Sequence, residues 1–274
     1  MLTLGPLEIA APAVMGILNV TPDSFSDGGH FDNLNIAIRQ AATMAEEGAF
    51  LIDIGGESTR PGAASVPEQE ELDRVIPVVE AVRSITDVLI SVDTSKAVVM
   101  REAIAAGACM INDVAALRGD GAMQAAADLG VPVCLMHMQG EPRTMQERPH
   151  YDDVVAEVAA FLDERIGACV EVGVAEDMII VDPGFGFGKT HVHNVELLAN
   201  LRQLRVRERP VLVGVSRKST LGKLTDREVH ERMPASVAAA VMAVVNGASI
   251  IRAHDVQATV DALKVARAII EASE

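Results

Sequence analysis

Four carboxylates stand at the ends of short apolar runs in this chain. They are Asp53, Asp93, Asp113 and Asp182. Carboxylates that lie close together at one opening raise one another's pKa, so hydrogen-bond donors or a metal must offset their mutual repulsion. One carboxylate can accept two adjacent N–H donors, such as those on the edge of a 2-amino-4-oxopyrimidine ring. The local sequence leaves open that some of the four cap helices or pair with Arg and Lys, and Asp53 fits a structural role as well as a functional one.

Two segments near the end of the chain carry cations that could balance these carboxylates. The segment Gly214–Ser219 holds two adjacent cations, which fits an anion site and equally fits a solvated charged turn. In the segment Arg252–Asp255, alternation along an extended chain places Arg252 and His254 on the same side. A buried Arg needs an anionic partner, and a protein carboxylate and a substrate phosphate are equally compatible with this sequence.

A glycine-rich segment follows Asp182 and reads DPGFGFGKT. It departs from the nucleotide-binding pattern GxxxxGK[ST], which needs glycine where this chain has Pro183. The alternatives are a plain turn that enters a helix, or a turn whose glycines let a flat or anionic ligand approach the backbone closely. In the second case Phe185 or Phe187 is available to stack on a ring.

Eight apolar runs carry these polar residues at their ends. The runs are Val14–Val20, Phe50–Gly55, Val88–Asp93, Cys109–Asp113, Val133–His137, Met178–Asp182, Val211–Ser216 and Ser249–His254. A continuous apolar run is typical of a parallel strand that helices cover on both faces. Stretches of helical periodicity separate the runs. The pattern therefore predicts an α/β fold, a (β/α)8 TIM barrel with its site at the C-terminal ends of the strands.

The remaining elements complete one predicted domain, residues 1–274. Leu2–Leu4 and Leu7–Ile9 predict a short N-terminal β-hairpin that closes the bottom of the barrel. Thr94 or Ser95 is expected to cap the third helix and Asp255 the eighth. The eight helices are expected at 33–47, 68–85, 95–106, 121–129, 152–172, 194–204, 235–246 and 256–272.

Composition argues against two kinds of partner. A formal net charge of −16 disfavours binding to nucleic acid and to an anionic membrane surface. The longest apolar runs are strand-sized and fall short of the roughly 20 residues that cross a bilayer. The three cysteines form no CxxC pair, which is typical of buried thiols in a reducing compartment. We therefore expect a cytoplasmic protein whose partners are small molecules.

Seven motifs in order carry a resemblance to a known family. They are Ile17–Gly29, Gly55–Gly62, Ser91–Thr94, Ile111–Asp113, Asp182–Lys189, Ser216–Lys218 and Arg252–Asp255. Together they resemble the dihydropteroate synthases. The resemblance implies that 6-hydroxymethyl-7,8-dihydropterin pyrophosphate reacts with p-aminobenzoate to give 7,8-dihydropteroate and pyrophosphate, a step of folate biosynthesis. It also implies that pyrophosphate leaves before the aniline nitrogen attacks, so the protein acts through positioning and electrostatics.

The resemblance also implies a role for each matching position. The pterin residues are Asp93, Asn112, Met136, Asp182 and Lys218, those for p-aminobenzoate are Phe25, Thr59, Pro61, Phe187 and Ser216, and those for pyrophosphate are Asn19, Arg60, Arg252 and His254. Asp93, Lys218 and Arg252 are the expected catalytic residues. The expected cofactor is Mg²⁺, with Asn19 as a metal ligand. A homodimer and inhibition by sulfonamides, which mimic p-aminobenzoate, are further expectations.

Two other functions remain to be separated from this one. A pterin-binding methyltransferase barrel shares the Asp and Asn at the pterin edge, but it has no pyrophosphate to hold. The turn Ser216–Lys218 and the loop Thr59–Pro61 therefore favour the synthase. A non-catalytic pterin-binding protein is expected to lack Asp93, Lys218 or Arg252, and all three are present.

Overall fold

The described part of this chain is dominated by one parallel sheet that curves into a barrel. The computed structural model describes residues 2–5, 7–21, 30–60 and 62–272. The barrel strands are β3 (Ala13–Asn19), β4 (Leu51–Gly55), β5 (Leu89–Asp93), β6 (Met110–Asp113), β7 (Val133–Met136), β8 (Ile179–Asp182), β9 (Leu212–Val213) and β10 (Ile250–Ala253). Each strand except β9 agrees with a predicted run to within one residue at either end, so the predicted TIM barrel is confirmed.

The strand order is β8-β7-β6-β5-β4-β3-β10-β9, and all neighbours are parallel. A parallel bridge between Val181 and Val211 brings β8 against the start of β9 and completes the ring. Strand β9 is shorter than the predicted run because the chain leaves extended geometry after Val213, and Arg217 takes a left-handed φ of 57°.

Helices surround the barrel between consecutive strands. They are α1 (His30–Glu46), α2 (Glu68–Ile85), α3 (Ala97–Ala105), α4 (Ala122–Leu129), α5 (Val154–Glu171), α6 (His191–Ala199), α7 (Ser219–Thr225), α8 (Met233–Val245) and α9 (Val256–Glu271). The short helix α7 was not predicted, because its segment follows a polar turn and is too short to show a clear period. The predicted helix at 194–204 is instead α6 followed by a 3-10 turn at Leu201–Leu204.

The bottom of the barrel interior is apolar. Alternate residues of each strand face inward, and the lowest layer includes Met15, Leu51, Met110, Cys134, Ile180, Leu212 and Ile250. The hairpin of β1 (Leu2–Leu4) and β2 (Leu7–Ile9) is antiparallel and contributes Leu4 and Ile9 to this layer. The predicted hairpin is therefore confirmed, and it closes the end of the barrel opposite to the strand ends that carry polar residues.

The predicted helix caps are wrong. Asp255 directly precedes α9 but makes no capping hydrogen bond, because its carboxylate binds Arg217. Helix α3 begins after Lys96 and has no side-chain cap. The hydroxyl of Ser95 donates to Asp113 instead, so a tertiary contact replaces the local one in both places.

Candidate active site

The interior layer above the apolar one is polar and forms the floor of a cleft. Asp53, Asn112, Asp182 and Arg252 each lie two residues beyond an apolar interior residue of the same strand. The period of two that buries Leu51 or Ile250 therefore points these polar side chains into the barrel as well. The empty space above this floor is about 500 Å³ when open solvent is included.

Ten of the predicted site residues line this cleft. They are Thr59, Asp93, Asn112, Met136, Asp182, Phe187, Ser216, Lys218, Arg252 and His254. Asn19 ends β3 with a half-buried side chain and Arg60 is exposed, and neither belongs to the lining. Phe25 and Pro61 lie outside the described residues. The structure also adds Ile17, Val114, Phe185 and Gly214 to the lining.

Arg252 bridges two carboxylates on the floor of the cleft. Its Nε lies 2.6 Å from Oδ2 of Asp53, and its Nη2 lies 2.8 Å from Oδ2 of Asp93. Asp53 is fully buried and also accepts a hydrogen bond of 2.9 Å from Nδ2 of Asn112. Asp53 thus lies beneath the cleft and orients two residues that line it. Sequence reasoning left its role open, because only the barrel register brings it against Arg252.

The pKa values of this group are shifted in a way that suits work near neutral pH. Burial raises the pKa of Asp93 to about 7, although the Arg252 guanidinium opposes the shift. Burial acts to lower the pKa of Arg252, but the Asp53 and Asp93 carboxylates outweigh it and raise that pKa. Arg252 therefore stays protonated. Asp93 is available as a preorganised negative charge for a cation that develops on a bound ring.

A second group in the cleft suits the polar edge of a flat heterocycle. Oδ1 of Asp182 accepts a 2.7 Å hydrogen bond from the Gly184 N–H, and burial raises the pKa of this carboxyl. Nζ of Lys218 lies 4.1 Å from the centre of the Phe187 ring, and burial lowers its pKa to about 8. A carboxylate acceptor and an ammonium donor beside an aromatic face match a ring with N–H and carbonyl groups on its edge.

The turn after β9 is held from outside the cleft. Arg217 makes two hydrogen bonds to Asp255, of 3.1 and 2.6 Å, and its backbone N–H donates to Oγ of Ser236 at 2.9 Å. These contacts fix the backbone on either side of Arg217. In the cleft, Nδ1 of His254 lies 2.9 Å from Oγ of Ser216. Burial, followed by the charge of Arg252, lowers the pKa of His254 to about 4, so its imidazole is neutral.

Lys189 supports the glycine-rich loop 183–190 from below. Its buried amino group donates to the Gly184 carbonyl at 3.0 Å and to the Phe187 carbonyl at 2.9 Å, and it lies 2.9 Å from Nδ1 of His137. Burial lowers the pKa of Lys189 to about 7, although the Asp182 carboxylate opposes the shift. Burial, together with the charge of Lys189, lowers the pKa of His137 to about 3, so this imidazole is neutral. Lys189 was missed as a site residue because the sequence gives no sign that its charge turns inward.

Three further side chains bind the same loop. Tyr151 Oη donates to the Gly188 carbonyl at 2.9 Å, and Gln146 Nε2 donates to the Gly186 carbonyl at 2.6 Å. Oδ1 of Asn194 accepts from the Gly186 N–H at 2.7 Å. Backbone groups of Gly184, Gly186, Phe187 and Gly188 are therefore bound, which fixes the aromatic wall of the cleft.

The prediction that four carboxylates lie together at the strand ends is wrong for Asp113. Asn112 faces the cleft, so the next residue of β6 faces away from it by alternation. Asp113 is fully buried and accepts hydrogen bonds of 2.7 Å from the N–H groups of Ala115 and Leu117. This carboxylate therefore organises the turn after β6, and three carboxylates remain at the floor of the cleft.

The described residues contain no group of three or more His, Cys, Asp or Glu side chains that could hold a metal ion. A metal here would need most of its ligands from water or from a substrate. Likewise, none of the described helices combines the length and the apolar character that crossing a membrane requires.

The cleft lies at the strand ends of a (β/α)8 barrel and has a buried polar floor. Its hydrogen-bonding groups complement those on the edge of a heterocycle, so it has the character of an enzyme site for a flat ligand. The chain belongs to the pterin binding enzyme family, whose model matches residues 15–254. Its similar relatives include the dihydropteroate synthase of Escherichia coli strain K12, 54% identical over 98% of this chain and 95% of that protein.

Solved structures give the same result. A Yersinia pestis dihydropteroate synthase in complex with a sulfonamide drug superposes with a TM-score of 0.93 at 54% identity, over 98% of this chain and 99% of the other. A Xanthomonas albilineans dihydropteroate synthase with 4-aminobenzoic acid has a TM-score of 0.90 at 56% identity, over 94% of this chain and 93% of the other.

Proposed function

We propose that this chain is a dihydropteroate synthase, a transferase of folate biosynthesis. It joins the pterin of 6-hydroxymethyl-7,8-dihydropterin pyrophosphate to p-aminobenzoate and releases pyrophosphate. One observation carries the proposal. The same cleft holds Asp182, which can bind the polar edge of a heterocycle, and the ion pair of Asp93 and Arg252. Full-length relatives of this activity, 54% identical to the chain, support it.

The pterin occupies the floor of the cleft in this proposal. Asp182 and Asn112 bind the polar edge of the ring, Lys218 donates to its carbonyl oxygen, and Met136 packs against its face. All four side chains lie on strand ends or on a turn fixed from outside, so the ring meets a preorganised site.

Asp93 and Arg252 act on the charges that appear as pyrophosphate leaves. The carbon that loses pyrophosphate develops positive charge that the pterin ring shares, and the Asp93 carboxylate stabilises that charge. Arg252 uses two of its five N–H donors on Asp53 and Asp93, so further donors remain for a phosphate oxygen. His254 and the exposed Arg60 add donors on the side where pyrophosphate departs.

The second substrate enters from the loop side of the cleft. Thr59, Phe187 and Ser216 line that side, and we assign Phe25 and Pro61 to the same pocket on the resemblance. The amine of p-aminobenzoate attacks the pterin carbon and loses a proton. A sulfonamide of the same shape competes for this pocket, as the relative crystallised with a sulfonamide drug suggests.

Mg²⁺ fits this site only as a partner of the substrate. It prefers oxygen ligands and commonly binds through one or two protein groups together with substrate phosphates. Asn19 offers an amide oxygen at the end of β3, and no metal-holding cluster occurs in the described ranges. The ion would neutralise charge on the leaving pyrophosphate.

The test is pyrophosphate release by the purified protein with Mg²⁺ and the dihydropterin pyrophosphate, with and without p-aminobenzoate. We expect release that depends on p-aminobenzoate, with one dihydropteroate formed for each pyrophosphate. Tight binding of the pterin pyrophosphate in calorimetry without turnover would instead indicate a non-catalytic pterin-binding protein. Methyl transfer from methyltetrahydrofolate would indicate the methyltransferase barrel.

The protein is proposed to act as a cytoplasmic homodimer. Helices α8 and α9 pack together and expose Met242, Val265 and Ile269, the last two by 61% and 65%. A second copy of the chain would cover these apolar side chains. The double variant Val265→Glu, Ile269→Glu should then sediment as a monomer.

The proposed cytoplasmic location is consistent with the three free thiols, Cys109, Cys134 and Cys169.

A further inference from the structure

The loop 57–67, which joins β4 to α2, forms one side of the cleft through Thr59. After Glu57, the hydrogen bonds that the described residues of this loop make are local. The Arg60 N–H lies 3.5 Å from Oγ of Ser58, and the Ala63 N–H donates to the Arg60 carbonyl at 3.1 Å. Bonds between residues two or three apart do not tie a loop to a barrel. The position of Thr59 therefore depends on what holds the beginning of the loop.

Three charged side chains hold that beginning. Nη1 of Arg74 donates to the Gly56 carbonyl at 2.7 Å. The carboxylate of Glu57 binds the ammonium of Lys96, and the same ammonium binds the carboxylate of Glu71 in α2. Lys96 lies three residues after Asp93, in the segment that joins β5 to α3. One ammonium thus links the loop, helix α2 and the strand that carries Asp93.

The burial of the cluster makes this link more than a surface ion pair. The side chain of Glu71 is 1% exposed, whereas Lys96 and Glu57 are 25% and 29% exposed. Partly buried charge pairs are screened less by salt than exposed ones. Burial acts to lower the pKa of Lys96, but the bonds to Glu57 and Glu71 outweigh it and raise that pKa.

We propose that Lys96 is a positioning residue for the second substrate. Through Glu57 it fixes the start of the loop so that Thr59 faces the cleft, and it thereby sets the affinity for p-aminobenzoate and for sulfonamides of the same shape. This inference rests on the proposed function, because it takes the pocket at Thr59 to be the aminobenzoate pocket. Lys96 lies outside the lining of the cleft and is given no direct contact with either substrate.

Glu57→Gln is the sharpest test, because it weakens the loop contact and leaves the buried pair of Lys96 and Glu71 intact. The matched control is Glu80→Gln, which removes an exposed carboxylate from the same helix. We expect Glu57→Gln to raise the KM for p-aminobenzoate about fivefold, with kcat and the Kd of a bare pterin changed by less than about twofold. The control should leave all three within about twofold.

Lys96→Met and Lys96→Arg extend the test. Lys96→Met leaves the buried Glu71 without its cation, so its thermal unfolding is measured beside its kinetics. We expect a rise in the KM for p-aminobenzoate of about tenfold or more, and partial recovery in Lys96→Arg, which keeps the charge.

Two results would overturn the inference while leaving the enzyme active. One is an unchanged KM for p-aminobenzoate in Glu57→Gln, and the other is an equal loss of affinity for bare pterin. A wild-type protein that makes no dihydropteroate would contradict the proposed function itself, so the two failures are distinguishable.

Discussion

The two sides of the cleft are built in different ways. The wall formed by loop 183–190 has carbonyl and N–H groups bound by buried or partly buried side chains, with the ammonium of Lys189 at its centre. The wall formed by loop 57–67 has local hydrogen bonds, and its start is held by the ion pair between Glu57 and Lys96. Both walls follow barrel strands, the first after β8 and the second after β4.

The difference has a consequence for binding. A wall whose backbone groups are already satisfied needs little ordering when a ligand arrives, so the ligand keeps most of its interaction energy. A loop held at one end must be ordered over the ligand, and this ordering lowers affinity but admits a second substrate after the first. We infer that the loop wall serves p-aminobenzoate, whereas the fixed wall serves the pterin and contributes Phe187 to the p-aminobenzoate pocket.

The largest effect on activity is expected from a substitution at the reacting centre, which lies between the two walls. Asp93→Asn keeps the size of the side chain but removes its charge. We expect kcat to fall by about two to three orders of magnitude, because the carboxylate acts mainly on charge that develops in the transition state. The Kd of a bare pterin, measured by calorimetry, should change by less than about threefold. An unchanged kcat would remove Asp93 from the mechanism.

Substitution of one glycine in each wall compares the rigidity of the two walls directly. Gly184 and Gly62 both have a left-handed φ, of 67° and 81°. A Cβ at Gly184 would lie 1.8 Å from the carbonyl oxygen of His137, whereas a Cβ at Gly62 would meet no described atom within 4 Å. We expect Gly184→Ala to lower the free energy of unfolding by about 3 kcal/mol in urea denaturation.

Gly62→Ala carries only the backbone strain, about 1 kcal/mol, in the exposed loop. Its midpoint of denaturation should stay close to that of the wild type, and its Kd for bare pterin should not change. Equal destabilisation by the two substitutions would show that the walls do not differ in rigidity.

Lys189→Met tests the support of the fixed wall. The substitution keeps the length of the side chain but removes the donor to the Gly184 and Phe187 carbonyls. Leaving these groups unpaired costs about 2 kcal/mol of stability in the fixed shape of the loop, so we expect the loop to rearrange and binding of bare pterin to weaken by up to roughly thirtyfold. The exposed Lys223→Met in α7 is the matched control. Wild-type pterin affinity in Lys189→Met would mean that the loop holds its shape without the ammonium.

A further effect is a pH dependence of at most about tenfold per pH unit. Asp93 must be ionised to act, so kcat/KM should rise with pH through its pKa of about 7. Lys218 must be protonated to donate, so kcat/KM should fall as pH rises through its pKa of about 8. Asp93→Asn should remove the acid limb only. A wild-type profile that is flat between pH 6 and 7 would contradict the assignment.

The sequence predicted the strands and the cleft better than it predicted individual partners. The apolar runs mark the strands because both faces of a parallel barrel strand are buried, and Arg252 follows Ile250 into the interior by simple alternation. The same alternation turns Asp113 away from the cleft, so its position follows once Asn112 is placed inward. The short helix α7 and the early end of β9 depend on the turn at Arg217, which local composition does not reveal.

Partners across the barrel could not be predicted, because they depend on register and on distant segments. Asp53 and Arg252 are 199 residues apart and meet only when β4 and β10 flank β3. Lys189 folds inward onto carbonyls and onto His137, 52 residues earlier in the chain. In both cases a charged residue is buried because tertiary contacts satisfy it.

A pair of affinities measured in two variants tests the difference between the two walls most directly. The Kd of a bare pterin and the KM for p-aminobenzoate are determined for Lys189→Met and for Glu57→Gln beside the wild type. We expect Lys189→Met to weaken pterin binding most, and we expect Glu57→Gln to raise the KM for p-aminobenzoate while leaving pterin binding unchanged. Loss of pterin affinity in Glu57→Gln, or wild-type pterin affinity in Lys189→Met, would contradict the division of the cleft into a fixed pterin wall and an anchored loop.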